Sequence, residues 1–324
     1  MASRNIRNTA ILAKIEATYG TDPVPTGGTN AMLVSNLSIN PINLSLVDRE
    51  VVRPFFGASE QLPGARFVEM SFDVELVGSG TVAVAPAWDA LLQACGFAGT
   101  ATATFRYDYT PVTSGPGSVT IYWYDDGLLH KATGARGDAT FSLKVGEKPK
   151  ISFKFTGIYN TPTAAANPSV VLTGWKQPQA VVDANTGDLT FGGTHATGVA
   201  PAITAGTVYP SQGLEVSLGN SVNFTALTSQ ETVDLTDRSV SGKVTLDLTA
   251  AQEATLMGVV EAATLQSVGL IHGTVLNSKA MLWMPNVQLT NPQKAESNGK
   301  RLVSFDLRAI PSAGNDELRV VTSF

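Results

Sequence analysis

Phe67-Val68-Glu69-Met70-Ser71-Phe72-Asp73-Val74-Glu75-Leu76 is the stretch that decides the fold class. Val68, Met70, Phe72, Val74 and Leu76 alternate with Glu69, Ser71, Asp73 and Glu75, which is the period of a strand with one buried and one wet face. Just downstream, Trp88, Leu91, Leu92 and Cys95 fall at helical spacing between Pro86 and Gly96, so a short amphipathic helix is expected over residues 86–97. A strand over 119–124 then runs into Asp125-Asp126-Gly127, whose Asp-Gly pair suits a tight hairpin. A further hairpin is expected between 139–145 and 151–155, across Gly146-Glu147-Lys148-Pro149.

The second half of the chain follows the same order. Arg66 leads into the first alternating strand and Arg238 leads into another over 240–248. A helix is expected over 249–263, with Leu256, Val259, Val260 and Ala263 on one face. Tryptophan-bearing strands at 118–123 and 278–283 match in this reading, as do closing strands at 151–158 and 303–310. The expectation is a mainly β (α+β) chain holding two tandem copies of one fold from an internal duplication, each with a short flanking helix. Its parts are an extended N-terminal arm over 1–33, a first domain over 34–160, a Gly/Thr/Pro-rich linker or insert over 161–212 and a second domain over 213–324. Short strands are expected in the insert at 169–172 and 189–191, and a last one at 318–322.

A length of 324 residues with 43% hydrophobic side chains suffices for two ordinary cores, and the 30 glycines and 17 prolines favour many short strands over long helices. A net charge of −5 excludes a protein that grips nucleic acid through phosphate neutralisation. The single cysteine, Cys95, permits no intrachain disulfide and reads as a small buried hydrophobe. Lys14 and Glu16 interrupt the N-terminal apolar run, so no secretory leader is expected, and no apolar stretch is long enough to span a bilayer. Synthesis in a cytoplasm is the reading that follows.

Chemistry-bearing patterns are sparse. His130, His195 and His272 are scattered and lack partners at ligand spacing, so neither metal nor cofactor is expected. Nothing pairs a nucleophile with a base, and Asp73 with Glu75 reads as a solvated strand face rather than an acid/base pair, so no enzyme is expected. The loop Asp48-Arg49-Glu50-Val51-Val52-Arg53-Pro54-Phe55-Phe56-Gly57 sets two aromatics beside charges, as either a partner contact or a lid folded back on the core.

Three segments carry a resemblance: 13–22 (Ala-Lys-Ile-Glu-Ala-Thr-Tyr-Gly-Thr-Asp), the loop 48–56, and 126–137 leading into 147–157. Over most of residues 10–160 the chain resembles the tail tube, or major tail, proteins of long-tailed, non-contractile bacteriophages. The resemblance implies β-sandwich domains whose sheets join between subunits into a barrel, and rings that stack into a hollow virion tube through which DNA is ejected without specific binding. Two folds per chain would make the ring a homotrimer of pseudo-sixfold symmetry, with a formal charge of 3 × (−5) = −15. Candidate lumen-facing residues are Glu69, Asp73, Glu75, Asp247 and Asp306, set against Lys144, Lys150, Lys154, Lys243 and Arg308 on the same kind of face. Candidate inter-subunit or inter-ring contacts are Asp48, Arg49, Glu50, Arg53, Phe55 and Phe56. Implied partners are further copies of the chain and the tail-end, tape-measure and chaperone proteins of the tail, with no membrane. The alternatives are a tube protein of a contractile tail or secretion system, and a two-domain adhesin or carbohydrate-binding module using Tyr122 and Tyr124 as a platform.

Overall fold

The computed structural model describes residues 4–196 and 201–324; residues 1–3 and 197–200 lie outside it. The first half runs β1 (Thr9–Ile15), β2 (Ala31–Met32), β3 (Ser35–Val47), β4 (Leu62–Glu75), α1 (Asp89–Gln93), β5 (Phe97–Thr102), β6 (Arg106–Pro111), β7 (Val119–Asp125), β8 (Leu128–Lys144) and β9 (Lys150–Ala164). Four short strands follow: β10 (Leu189–Phe191), β11 (Thr194–Ala196), β12 (Ala202–Thr204) and β13 (Thr207–Tyr209). The rest is β14 (Ser211–Ser217), β15 (Asn220–Leu227), β16 (Gln230–Arg238), β17 (Ser241–Leu246), α2 (Ala250–Glu261), β18 (Gln266–His272), β19 (Ala280–Ser297), β20 (Lys300–Ala309) and β21 (Arg319–Thr322). The chain is mainly β with two short helices, as its composition and alternation lead one to expect.

Eight strands form an antiparallel ladder, β3–β4–β9–β8 and then β14–β17–β20–β19. The strand β8 is long enough to change partners: Leu129 to Ala135 pair with β7, whereas Thr140 to Lys144 pair with β14. That second pairing is the joint between the halves, with Leu143 opposite Leu214 and Phe141 opposite Val216. The strand β21 makes another connection, lying between β19 and β6. One cluster of buried apolar side chains crosses the joint, from Met70, Phe72 and Phe153 to Val244 and Phe305. Leu91 and Leu92 of α1 and the flanking Trp88 and Cys95 belong to the same cluster and are fully buried; the Trp88 indole donates to the Val77 carbonyl at 3.0 Å.

Several expectations need correction. Residues 1–33 are not an extended arm throughout, because β1 is a sheet strand paired with β7 over seven residues. The run Ala10-Ile11-Leu12-Ala13 is apolar on both faces of that strand, and Leu12 is fully buried. The first helix shrinks from 86–97 to Asp89–Gln93, ending before Gly96, whose φ of 80° breaks helical geometry. The second runs Ala250–Glu261 behind a Thr249 capping box with Gln252. The tryptophan strands do not match: Trp123 lies on β7 beside β1 and β8, whereas Trp283 lies on β19 beside β18 and β21. Both strands are apolar, and period-two alternation does not say which neighbour a strand takes. Residues 169–172 are not a strand, while 189–191 are β10. Tyr122 is buried, donating its hydroxyl to the Asp22 carboxylate, so it cannot form an exposed platform with Tyr124.

Candidate functional site: a charged sheet face and an exposed hairpin

Alternation along the ladder strands sends apolar side chains to the core and polar ones to the opposite face, and antiparallel register then sets polar groups side by side. One register row crosses seven strands and both halves: Glu75, Lys150, Ser142, Glu215, Lys243, Asp306 and Thr290. Acidic and basic residues alternate along it. Each lysine therefore faces a carboxylate across the ladder, and the face is a mosaic of both signs rather than an acidic field.

The expected lumen residues divide accordingly. Glu75 and Asp306 belong to the row; Glu75 meets Lys148 at 3.2 Å, and Asp306 accepts from the Asn291 amide at 2.8 Å. Asp73 lies one pleat away and meets Lys150 at 2.9 Å, while Glu69 accepts from Asn43 at 2.8 Å. Asp247 falls outside the row, just beyond β17, at 3.4 Å from Lys300. Lys154 faces Asp138 across β8 and β9, and Lys144 meets Glu215 at 3.0 Å. The partly exposed pairs contribute little stability each, roughly 0–1 kcal/mol.

Asp73 differs because it is nearly buried. Burial favours its neutral form, but hydrogen bonds from Ser152, Asn36 and Lys150 together with the lysine charge outweigh burial and hold its pKa below the ordinary 3.8. A depressed carboxylate pKa stabilises the fold above the unfolded-state value, and that contribution is lost as pH falls through the folded-state value. Asp73→Asn is expected to lower stability by about 1–2 kcal/mol at neutral pH. Urea denaturation should show the gap between wild type and variant closing only below about pH 4; a gap independent of pH from 7 to 3 would contradict this account.

The loop 48–56 caps the β3–β4 hairpin. Asp48 accepts from the Gln61 amide at 2.6 Å and Arg49 pairs with Glu60, so the hairpin is bridged at its neck. Glu50 and Arg53 are exposed, and Phe55 and Phe56 are 65% and 107% exposed. Of the two readings of this loop, the lid folded back on the core is ruled out. Sequence reasoning missed a second hairpin, β15–β16, although Val222, Phe224, Val233 and Leu235 carry the period-two signal. Among the described residues no cluster of three metal-ligating side chains occurs.

A family model described as phage tail tube protein matches residues 6–309. The chain belongs to the phage tail tube protein family. No curated protein matches it. As a tail tube protein it is a structural virion component that assembles with its own copies and with other tail proteins. Among the described residues, β3 pairs only with β4, and Gln293 to Ser297 of β19 pair only with β20. Each end thus offers unpaired backbone donors and acceptors of the kind that a further strand can pair with.

Proposed function

We propose that this tail tube protein builds the wall of a non-contractile, siphovirus-type tail by joining head to tail, the free edge of β3 in one copy pairing with the free edge of β19 in the next. The observation that carries the reading is the β8–β14 joint, where one chain already makes this connection between its own halves. β14 stands to β17 and β20 as β3 stands to β4 and β9, and β8 stands to β9 as β19 stands to β20. Two equivalent four-strand units from a duplication would let three copies close a ring of pseudo-sixfold symmetry. The polar face with Glu69, Asp73, Glu75 and Asp306 then lines the lumen. Its alternating signs offer DNA no continuous basic track, so the genome passes during ejection without being held. Asp247 stays in this proposal as a lumen-rim residue. Tail-end, tape-measure and chaperone proteins are the other proposed partners, after synthesis in the host cytoplasm.

Negative-stain microscopy with sedimentation analysis of the purified protein tests this. Rings or tubes built from three copies of the 33.9 kDa chain are expected. A persistent monomer removes the proposal, and rings of six chains remove the trimer while keeping the tube.

A further inference from the structure

Hairpin β15–β16 and the outer part of β3–β4 are built alike. In one, Asn220 faces Arg238 and Val222 faces Leu235; in the other, Leu44 faces Arg66 and Leu46 faces Pro63. Two steps on the outgoing strand meet three on the returning strand in both, so a register shift of the same size follows an arginine in each hairpin.

The two hairpins differ in what they touch. Hairpin β15–β16 is seated on β8 and on the turn that follows α1: Leu235 lies over Gly96, with its Cδ1 3.2 Å from where a Cβ would stand. The Asn220 amide donates to the carbonyls of Cys95 at 2.8 Å and Gly137 at 3.0 Å. Arg136 donates to the Val233 carbonyl at 2.8 Å, and the Val233 amide donates to the Tyr19 hydroxyl at 2.6 Å.

Among the described residues no comparable seat holds the outer β3–β4 hairpin, although Arg66 at its base lies over the Tyr159 ring. Leu44, Leu46, Val47 and Leu62 are 40–56% exposed, and Phe55 and Phe56 at its tip are more exposed still. The second helix shows the complementary lack. Only Leu256 of α2 is buried; Val259 and Val260 are half-buried, and Ala262, Ala263 and Leu265 beyond its end are exposed. Like α1, it ends on a left-handed residue, Ala263 at φ 51° against Gly96 at φ 80°. A hairpin without a seat and a helix end without a cover therefore occur in one chain, beside a seated pair of the same design. Hairpin β3–β4 and strand β19 stand at opposite ends of the ladder, so the occupant is a second copy of this chain.

We propose that the outer β3–β4 hairpin is a docking arm that seats on the end of α2 in the neighbouring copy, placing Pro63 over Ala263 as Leu235 lies over Gly96. This rests on the head-to-tail tube reading and adds the contact that locks each edge-to-edge joint from outside the sheet. Burying the exposed apolar side chains on both sides supplies the driving force.

The test is disulfide trapping in assembled protein carrying Pro63→Cys and Ala263→Cys; the native Cys95 is fully buried and does not compete. After oxidation, non-reducing electrophoresis is expected to show covalent multimers up to three chains, and a mixture of the two single variants should yield covalent dimers only. Tubes that assemble yet run as monomers overturn the docking while leaving the tube reading intact; wild-type protein that forms no rings or tubes overturns both. Should the double variant fail to assemble, hydrogen exchange on wild type decides. Amides of 44–47 and 259–265 are expected to slow together by about tenfold or more on assembly, and unchanged exchange in either segment overturns the proposal.

Discussion

Gly213→Val is expected to lower the stability of the chain by about 3–5 kcal/mol, a large share of the 5–15 kcal/mol typical of a folded domain. Gly213 lies at the joint between the halves, opposite Lys144 on β8, with φ at 110°. A Cβ there would stand 1.9 Å from the Leu143 carbonyl oxygen and 2.9 Å from the Lys144 Cα, both backbone atoms that no rotamer change can move aside. A strained backbone conformation costs about 1–3 kcal/mol and forced overpacking about as much again. The joint must open to relieve the clash, exposing Leu214 and Val216 together with their partners Leu143 and Phe141. Urea denaturation followed by tryptophan fluorescence checks this, with a midpoint well below that of wild type as the expected result. An unchanged midpoint would mean that the β8–β14 pairing contributes nothing to the fold. Since that pairing is also the template for the proposed contact between copies, the variant is expected to form no tubes.

Glu16→Ala is expected to cost about 3–5 kcal/mol, because buried donors left without an acceptor cost about 1–3 kcal/mol each. The Glu16 carboxylate accepts four hydrogen bonds: from the Ser118 and Thr120 hydroxyls at 2.6 and 2.5 Å, the Gly134 amide at 2.7 Å and the Gly20 amide at 2.8 Å. These donors belong to the loop after β1, the start of β7 and the middle of β8, so one side chain ties the N-terminal strand to the sheet. Ser118 and Thr120 are buried, and water can reach them only if the segment lifts. Thermal denaturation should show a lower Tm. Proteolysis should release the N-terminal segment earlier than in wild type; equal Tm and equal protease resistance would refute the keystone role. Glu16→Gln should lose less, since its carbonyl oxygen still accepts while its amide faces donors.

Local patterns were legible because their causes are local. The alternation at 67–76 is β4, the turn at Gly146-Glu147-Lys148-Pro149 joins β8 to β9, and the helical spacing of Leu256, Val259 and Val260 is α2, each set by side chains within a few positions. The acidic candidates were legible as a polar strand face but not as a row. Their lysine neighbours come from strands tens of residues distant, and register is a property of the paired backbones. The exposure of Phe55 and Phe56 was legible only as a choice between contact and lid, since an aromatic beside charges suits either.

Composition and periodicity alone therefore determined a mainly β chain with two short helices, polar and apolar strand faces, and no recognisable catalytic or metal-binding pattern. Only the tertiary structure decided that β1 belongs to the sheet, that Trp123 and Trp283 occupy different places in it, that β14 joins β8, and that β15–β16 meets the turn after α1 while the end of α2 lies exposed. The physical reason is that side-chain pattern specifies which face of a strand is buried, whereas strand partners are chosen through backbone hydrogen bonds, which are chemically the same at nearly every residue.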